Sequence, residues 1–401
     1  MKSLSQRANG VTPSPTLAIS AKAKEMKKQG VDVIIFGAGE PDFDTPKFVK
    51  QAAISAINEG FTKYTPASGT KELKEAVVAK LQRDNKLDYS ANQIIISCGA
   101  KHSLYNCFQA ICNPGDEVII FSPYWVSYPE MIKLAGAVPV VVTTKEQDGF
   151  RPSLSSVTSA ISQKTKAIII NSPCNPTGSV YPEELLRQIG EAAVKNDLWI
   201  ISDEVYEKII FDSKEYISIA ALGEDIKSHT IVVNAVSKTY AMTGWRIGYL
   251  AGPAEAIKAM GNIQSHSTSN PNSIAQRAAL TALGGNQEEV SKMVVEFEKR
   301  RNFIVEKLKE FEKVSFHKPE GAFYLFLNIG SFLKQDSKGV KKINNSVDFA
   351  NYLLQEAKVA VVPGSAFGAD DYIRMSFATS IQDLSKGLDR IETALFRVGV
   401  F

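Results

Sequence analysis

Between residues 230 and 252 the chain reads TIVVNAVSKTYAMTGWRIGYLAG, a stretch that sets an amine (Lys238), a hydroxyl (Ser237) and a forked cation (Arg246) within ten residues of one another. They fall in a polar turn between two apolar runs, 231–233 and 247–250, whose shortness and β-branched or aromatic content suit buried strands. A lysine placed there is costly to leave charged and alone. It must snorkel to water, pair with an acid, or be consumed covalently as an imine. The hydroxyl and the guanidinium are the equipment that binds a phosphate beside such an amine.

Other polar residues recur at comparable places. An apolar run over 167–171 leads into NSPCNPTG with Asn175, and one over 198–203 into SDEVY with Asp203 and Tyr206. Three strand ends would thus bring Asn175, Asp203, Tyr206 and Lys238 to one edge of a sheet. Each has a plainer reading, since an Asn-Pro turn is common and an aspartate that ends a strand can simply cap a helix. A strand over 94–97 followed by a turn at Gly99 and Ala100 and a helix over 101–111 forms an anion site, because free amides and the helix dipole point at the ligand. GAGEPDFDTP, with Gly37, Gly39 and Pro41, either lets backbone approach a ligand or is an ordinary loop before a helix near residue 46. Tyr64 lies in a turn rich in proline and glycine that leads to an amphipathic helix.

The elements that must position these residues alternate regularly. Further strands are expected over 33–36, 117–121 and 138–143, and helices over 126–135, 153–162 and 182–196. Near-continuous apolar strands separated by helices predict a largely parallel sheet covered on both faces, with ligands beyond the carboxyl ends of its strands. The rest fits a smaller α/β lobe. Its expected parts are a helix over 17–29 closed by Gly30, a long polar helix over 287–311, the strand-rich PEGAFYLFLNI, a helix over 347–357, VAVVPGSAFG, a strand bearing Arg374, and a helix over 381–396. Apolar residues flank Arg374, which makes a merely superficial arginine the less attractive reading.

Composition sets the outer bounds. The 401 residues exceed one ordinary core, and the net charge of +3 with interspersed Lys and Arg gives no support to nucleic-acid or membrane binding. Cys98, Cys107, Cys112 and Cys174 lack metal-ligand spacing, so no metal is expected. Nothing resembles a secretory signal or a membrane-spanning run, and a soluble, reduced, cytoplasmic protein is the expectation.

SKTYAMTGWRIGY, NSPCNPTG, SDEVY, AGEPDFDTP, SPYWVSYPE and YIRMSFATS together resemble, in order and spacing over nearly the whole chain, the class I and II aminotransferases. These are pyridoxal 5′-phosphate (PLP) enzymes of fold type I, and the likeness is greatest to the bacterial aspartate aminotransferase subgroup. The resemblance implies an α/β fold, with a mostly parallel seven-stranded sheet in a three-layer large domain at 48–282. A smaller α/β domain would be built from 1–47 and 283–401. It makes Lys238 the Schiff-base lysine and catalytic base, Asp203 the partner of the pyridine nitrogen, and Asn175 and Tyr206 donors to the phenolic oxygen. Gly99, Ala100, Lys101, Ser237 and Arg246 would surround the phosphate, with Tyr64 of a neighbouring subunit, which implies a homodimer with shared active sites.

On the substrate side, Trp125 would stack on the pyridine ring and help hold the substrate carboxylate. Arg374 would grip the α-carboxylate, with Asn175 beside it and the backbone of Gly39 against it. Lys101 resembles the lysine that receives the distal carboxylate of aspartate or glutamate; the competing assignment makes it a phosphate-side cation. Paired with Thr16, it also resembles the arrangement used for prephenate. The implied reaction moves the amino group of L-aspartate to 2-oxoglutarate, giving oxaloacetate and L-glutamate. The alternatives are a bifunctional aspartate/prephenate enzyme, another amino-acid aminotransferase, a PLP-dependent lyase, and a non-catalytic PLP-binding regulator. The partners in every enzyme reading are small amino and 2-oxo acids.

Overall fold

The computed structural model describes residues 2–13, 15–334 and 343–397, and leaves out the side chains of 15–17 and 20. Thirteen strands occur among the described residues. The first, β1 (Ile34–Ile35), pairs in parallel with a late strand. The next seven are β2 (Ile94–Ser97), β3 (Glu117–Ser122), β4 (Val138–Thr143), β5 (Thr165–Asn171), β6 (Trp199–Asp203), β7 (Thr230–Ala235) and β8 (Gly248–Ala251). They form a single sheet in the order β2-β8-β7-β6-β5-β3-β4. Pairing is parallel from β7 through β6, β5 and β3 to β4. Only β8 runs against its neighbours β2 and β7.

Side-chain alternation turns this sheet into three layers. Ile95, Val118, Ile120, Ile201, Ile231 and Val233 face one way, against helices Ala100–Ile111, Ser127–Leu134 and Ala254–Ser267. Their strand neighbours Ile94, Ile96, Ile119, Ile200 and Val232 face the other way, towards helices Lys71–Asn85, Ser273–Gly284 and Glu183–Lys195. Because successive strand residues point to opposite faces, Asp203 shares the face of Ile201. The end of β6 therefore aims its carboxyl group towards the Ser127–Leu134 helix. This parity decides its hydrogen-bond partner.

The remaining strands are β9 (Ser315–Phe316), β10 (Tyr324–Asn328), β11 (Val359–Ala360), β12 (Val362–Pro363) and β13 (Tyr372–Ser376). An antiparallel sheet joins β12, β13, β10 and β9, while β11 is the partner of β1. The long helix Glu288–Lys309 is polar on the whole, as expected, yet it buries Phe297, Ile304, Arg300 and Arg301. Arg300 reaches Asp42 at 2.7 Å and lies over the ring of Phe43, so the loop after Gly39 is tied to that helix. The helix expected over 347–357 is α-helical only through Ser346–Tyr352, and a π-helical turn follows over Leu353–Ala357. The C-terminal helix Ile381–Arg397 is amphipathic, burying Leu384, Leu388, Ile391 and Leu395 at helical spacing. One apolar cluster runs from Val205, Tyr206 and Ile209 after β6 into Phe323, Tyr324 and Leu325 at β10, so the segment after Asp203 packs directly on the smaller sheet.

Candidate active site

Lys238 does not sit in an open turn, as its polar neighbours suggested. It lies in a short helix, Val236–Thr239, that starts as soon as β7 ends. The helical twist brings its half-buried side chain back over the strand ends, where the amine donates to the carbonyl oxygen of Gly39. Burial pushes the amine down to about 8. Glu40 works against that shift, whereas Arg374 and Arg246 add to it. Glu40 itself accepts from Thr243 Oγ1 at 2.7 Å.

Asp203 is buried at the end of β6, and burial raises its carboxyl group to about 6. The opposing influences are a 2.6 Å hydrogen bond from the hydroxyl of Tyr128, a donation from Val205 N to Oδ1 at 3.3 Å, and the charge of Lys238. Tyr128 is a residue that sequence reasoning missed within SPYWVSYPE. Its signal was the spacing of three from Trp125, which puts both on one side of a helix start. Their rings meet edge to face at 5.3 Å.

The anion-binding corner is assembled from three elements. Gly99, with φ of +89°, turns the chain from β2 into helix Ala100–Ile111. The first amides of that helix, at Ala100 and Lys101, have no acceptor within the helix. Arg246, itself left-handed at φ of +59°, donates to Thr243 O at 2.8 Å and Cys98 O at 3.3 Å, and its guanidinium rests against Gly99. A Cβ at position 99 would overlap that guanidinium. Ser237 is buried on the same cleft.

Arg374, another lining residue, is buried in β13. Its Nη1 donates to Asn175 Oδ1 at 2.8 Å, its Nη2 to Gly37 O at 3.2 Å, and its Nε has no partner. Asn175 N is held by Asn171 Oδ1 at 2.9 Å. Tyr206 shares a 2.8 Å hydrogen bond with the hydroxyl of Tyr324, a second residue missed because PEGAFYLFLNI reads simply as an apolar strand. The amine of Lys101, on the exposed side, lies 5.0 Å above the ring of Trp125, and desolvation of the amine followed by the charge of Arg246 lowers its proton affinity.

These groups line a single cleft of about 270 Å³, which brings together Gly39, Ala100, Lys101, Trp125, Asn175, Asp203, Tyr206, Ser237, Lys238, Arg246 and Arg374. Gly99 stands just behind it, under Arg246. Tyr64 is not among the lining residues; it is 92% exposed and stands outside the cleft of its own chain. Thr16 belongs to helix Pro15–Lys28, and its side chain falls outside the described residues. An amine with lowered proton affinity, a buried acid, an anion corner and a buried arginine with a free Nε form a donor set for a phosphorylated carbonyl compound and a carboxylate.

The model of the aminotransferase class I and II family matches residues 31–391. The chain belongs to that family. An aspartate aminotransferase from Bacillus subtilis (strain 168) is 50% identical over 389 residues, covering 97% of this chain and 98% of the relative. A probable aspartate/prephenate aminotransferase from Aquifex aeolicus is 47% identical, covering 98% and 99%. The crystal structure of an aspartate aminotransferase from Rhizobium meliloti superposes with a TM-score of 0.95 at 42% identity, over 99% of this chain and 100% of that one. This aminotransferase accordingly has the fold-type-I architecture and uses PLP, and the donor set of the cleft fits that cofactor in kind: an amine suited to its aldehyde, a buried acid suited to its ring nitrogen and an anion corner suited to its phosphate. Among the described residues no helix is long and apolar enough to cross a membrane.

Proposed function

We propose that the protein transfers the amino group of L-aspartate to 2-oxoglutarate. The observation that carries this reading is the presence of two cations in one cleft. Arg374 is buried with its Nε unpaired and Lys101 is exposed with its amine over Trp125, so each can take one carboxylate of a dicarboxylic substrate. The relatives named above as aspartate aminotransferases support it.

When bound, PLP supplies an aldehyde that joins amines reversibly and a ring that draws electrons from the substrate α-carbon. The rest belongs to the protein. Arg374 and Asn175 fix the α-carboxylate so that the Cα–H bond is aimed at Lys238. Lys238 Nζ, whose proton affinity is lowered to about 8, takes that proton and returns it on the other side of the reaction. Asp203, steadied by Tyr128, would keep a negative charge beside the ring nitrogen, and Asn175 and Tyr206 would donate to the ring oxygen. Trp125, in the lining of the cleft, would cover the ring and limit water at the reacting centre.

The same reading divides the chain into a large domain over 48–282 and a smaller one from 1–47 and 283–401, places the protein in the cytoplasm, and makes it a homodimer. Tyr64, exposed and not lining its own cleft, would complete the cleft of the partner. The test is a half-reaction screen of amino donors, following the absorbance of bound PLP. Aspartate and glutamate should convert the cofactor fastest, and Lys101→Ala should cost aspartate about 10- to 100-fold more than it costs phenylalanine. Equal losses for both donors would remove the case for a dicarboxylic substrate.

A further inference from the structure

One contact in the cleft links groups to which separate roles have been given. The ring of Tyr324 lies against the guanidinium of Arg374, with Cζ 4.2 Å from the ring centroid, while its hydroxyl is 2.8 Å from that of Tyr206. The two tyrosine rings meet edge to face at 5.8 Å and 80°. Both side chains are buried. Register explains the first contact: Phe326 of β10 faces Arg374 of β13 and Tyr324 faces Ser376, which makes Tyr324 the diagonal neighbour of Arg374 on one face of the smaller sheet. Tyr206 comes from the segment after β6. A single side chain therefore joins the arginine on one sheet to the phenol supplied by the other.

We propose that Tyr324 is a positioning residue which couples the grip on the substrate α-carboxylate to the hydrogen bond at the cofactor ring oxygen. Its ring supports Arg374, and its hydroxyl donates to Tyr206. The inference rests on the assignment of the cleft as the PLP site. A phenol has one proton; if Tyr206 gives its own to the ring oxygen, only its lone pairs remain for position 324, and Tyr324 must be the donor. Donation to Tyr206 polarises the phenol and strengthens the bond that it makes in turn. The ring matters separately. The two Nη atoms of Arg374 are directed at Asn175 and Gly37 while its Nε is unpaired, so the aromatic face of Tyr324 helps hold the guanidinium plane. The charged and titratable groups that face this pair are Arg374, Asp203 and Glu40.

Two variants separate the two duties. Tyr324→Phe keeps the ring and loses the hydroxyl, and Tyr324→Leu loses both. The readouts are the pH midpoint of the absorbance change of the PLP-loaded protein and the affinity for maleate, a dicarboxylate with no amino group to transfer. Tyr324→Phe should raise the midpoint by about 0.5 pH unit, because a weaker donor at Tyr206 leaves more negative charge on the ring oxygen and the neighbouring proton is held harder. Its maleate affinity should stay within about two-fold of wild type. Tyr324→Leu should show the same shift and bind maleate about ten-fold more weakly. In a Tyr206→Phe background, Tyr324→Phe should add no shift. An unmoved midpoint in Tyr324→Phe, an equal shift in the Tyr206→Phe background, or wild-type maleate affinity in Tyr324→Leu would each overturn the proposal while leaving the site assignment standing. Wild-type protein that takes up no PLP would overturn both.

Discussion

Asp203 shows how the site sets stability against function. Its carboxyl group is raised from 3.8 to about 6 by burial, so the cofactor-free fold binds a proton between those values that the unfolded chain has released. The sign follows. Below about pH 4 both states are protonated and burial of this group carries no ionic penalty; above pH 6 the penalty is complete, and the shift corresponds to about 3 kcal/mol. Asp203→Asn can still accept from Tyr128 without carrying charge. It should therefore raise the thermal midpoint of the cofactor-free protein at pH 8, an advantage that shrinks as the pH falls through 6, and it should weaken PLP binding at every pH. A variant no more stable than wild type at pH 8 would contradict the raised carboxyl of Asp203. At this scale the sequence was informative where a reactive type stood in a telling place, as with Lys238 after β7. Tyr128 and Tyr324 escaped because their functional atoms acquire partners only when separate elements meet.

Among the elements, the turn into helix Ala100–Ile111 leaves little conformational freedom. Gly99 has φ of +89°, and any side chain there would run into the Arg246 guanidinium. Gly99→Ala should lower PLP affinity at least about ten-fold while leaving the far-UV circular dichroism of the protein intact, since the strain falls on one turn and one arginine. Undiminished affinity would mean that Arg246 does not hold the phosphate. The alternation of apolar strands and helices makes the parallel part of the sheet legible in the sequence. The reversed direction of β8 was not, because a short buried run reads the same way whichever way it points. The π-helical turn over Leu353–Ala357 was equally hidden, since an extra residue in a helical turn does not disturb the apolar pattern enough to be noticed.

At the level of the whole molecule, the outlying residue is Tyr64, 92% exposed although it belongs to the phosphate-binding set that the family resemblance implies. Ile54 and Ile57, on helix Lys47–Asn58 shortly before it, are also about half exposed. The proposed dimer with shared sites would account for all three. Mixing Tyr64→Ala with Lys238→Ala subunits should then restore activity, because a mixed dimer contains one site with an intact lysine from one chain and an intact tyrosine from the other. Activity no greater than that of the Tyr64→Ala parent would place Tyr64 outside the partner's site.

The functional expectations depend on Lys238 being the amine that holds the cofactor. Loading the protein with PLP, reducing it with sodium borohydride and mapping the peptides by mass spectrometry addresses that point. The pyridoxyl adduct should appear on Lys238 and vanish in Lys238→Ala, whose PLP should then dialyse away. A stable adduct on another lysine, with Lys238 unmodified, would contradict the account.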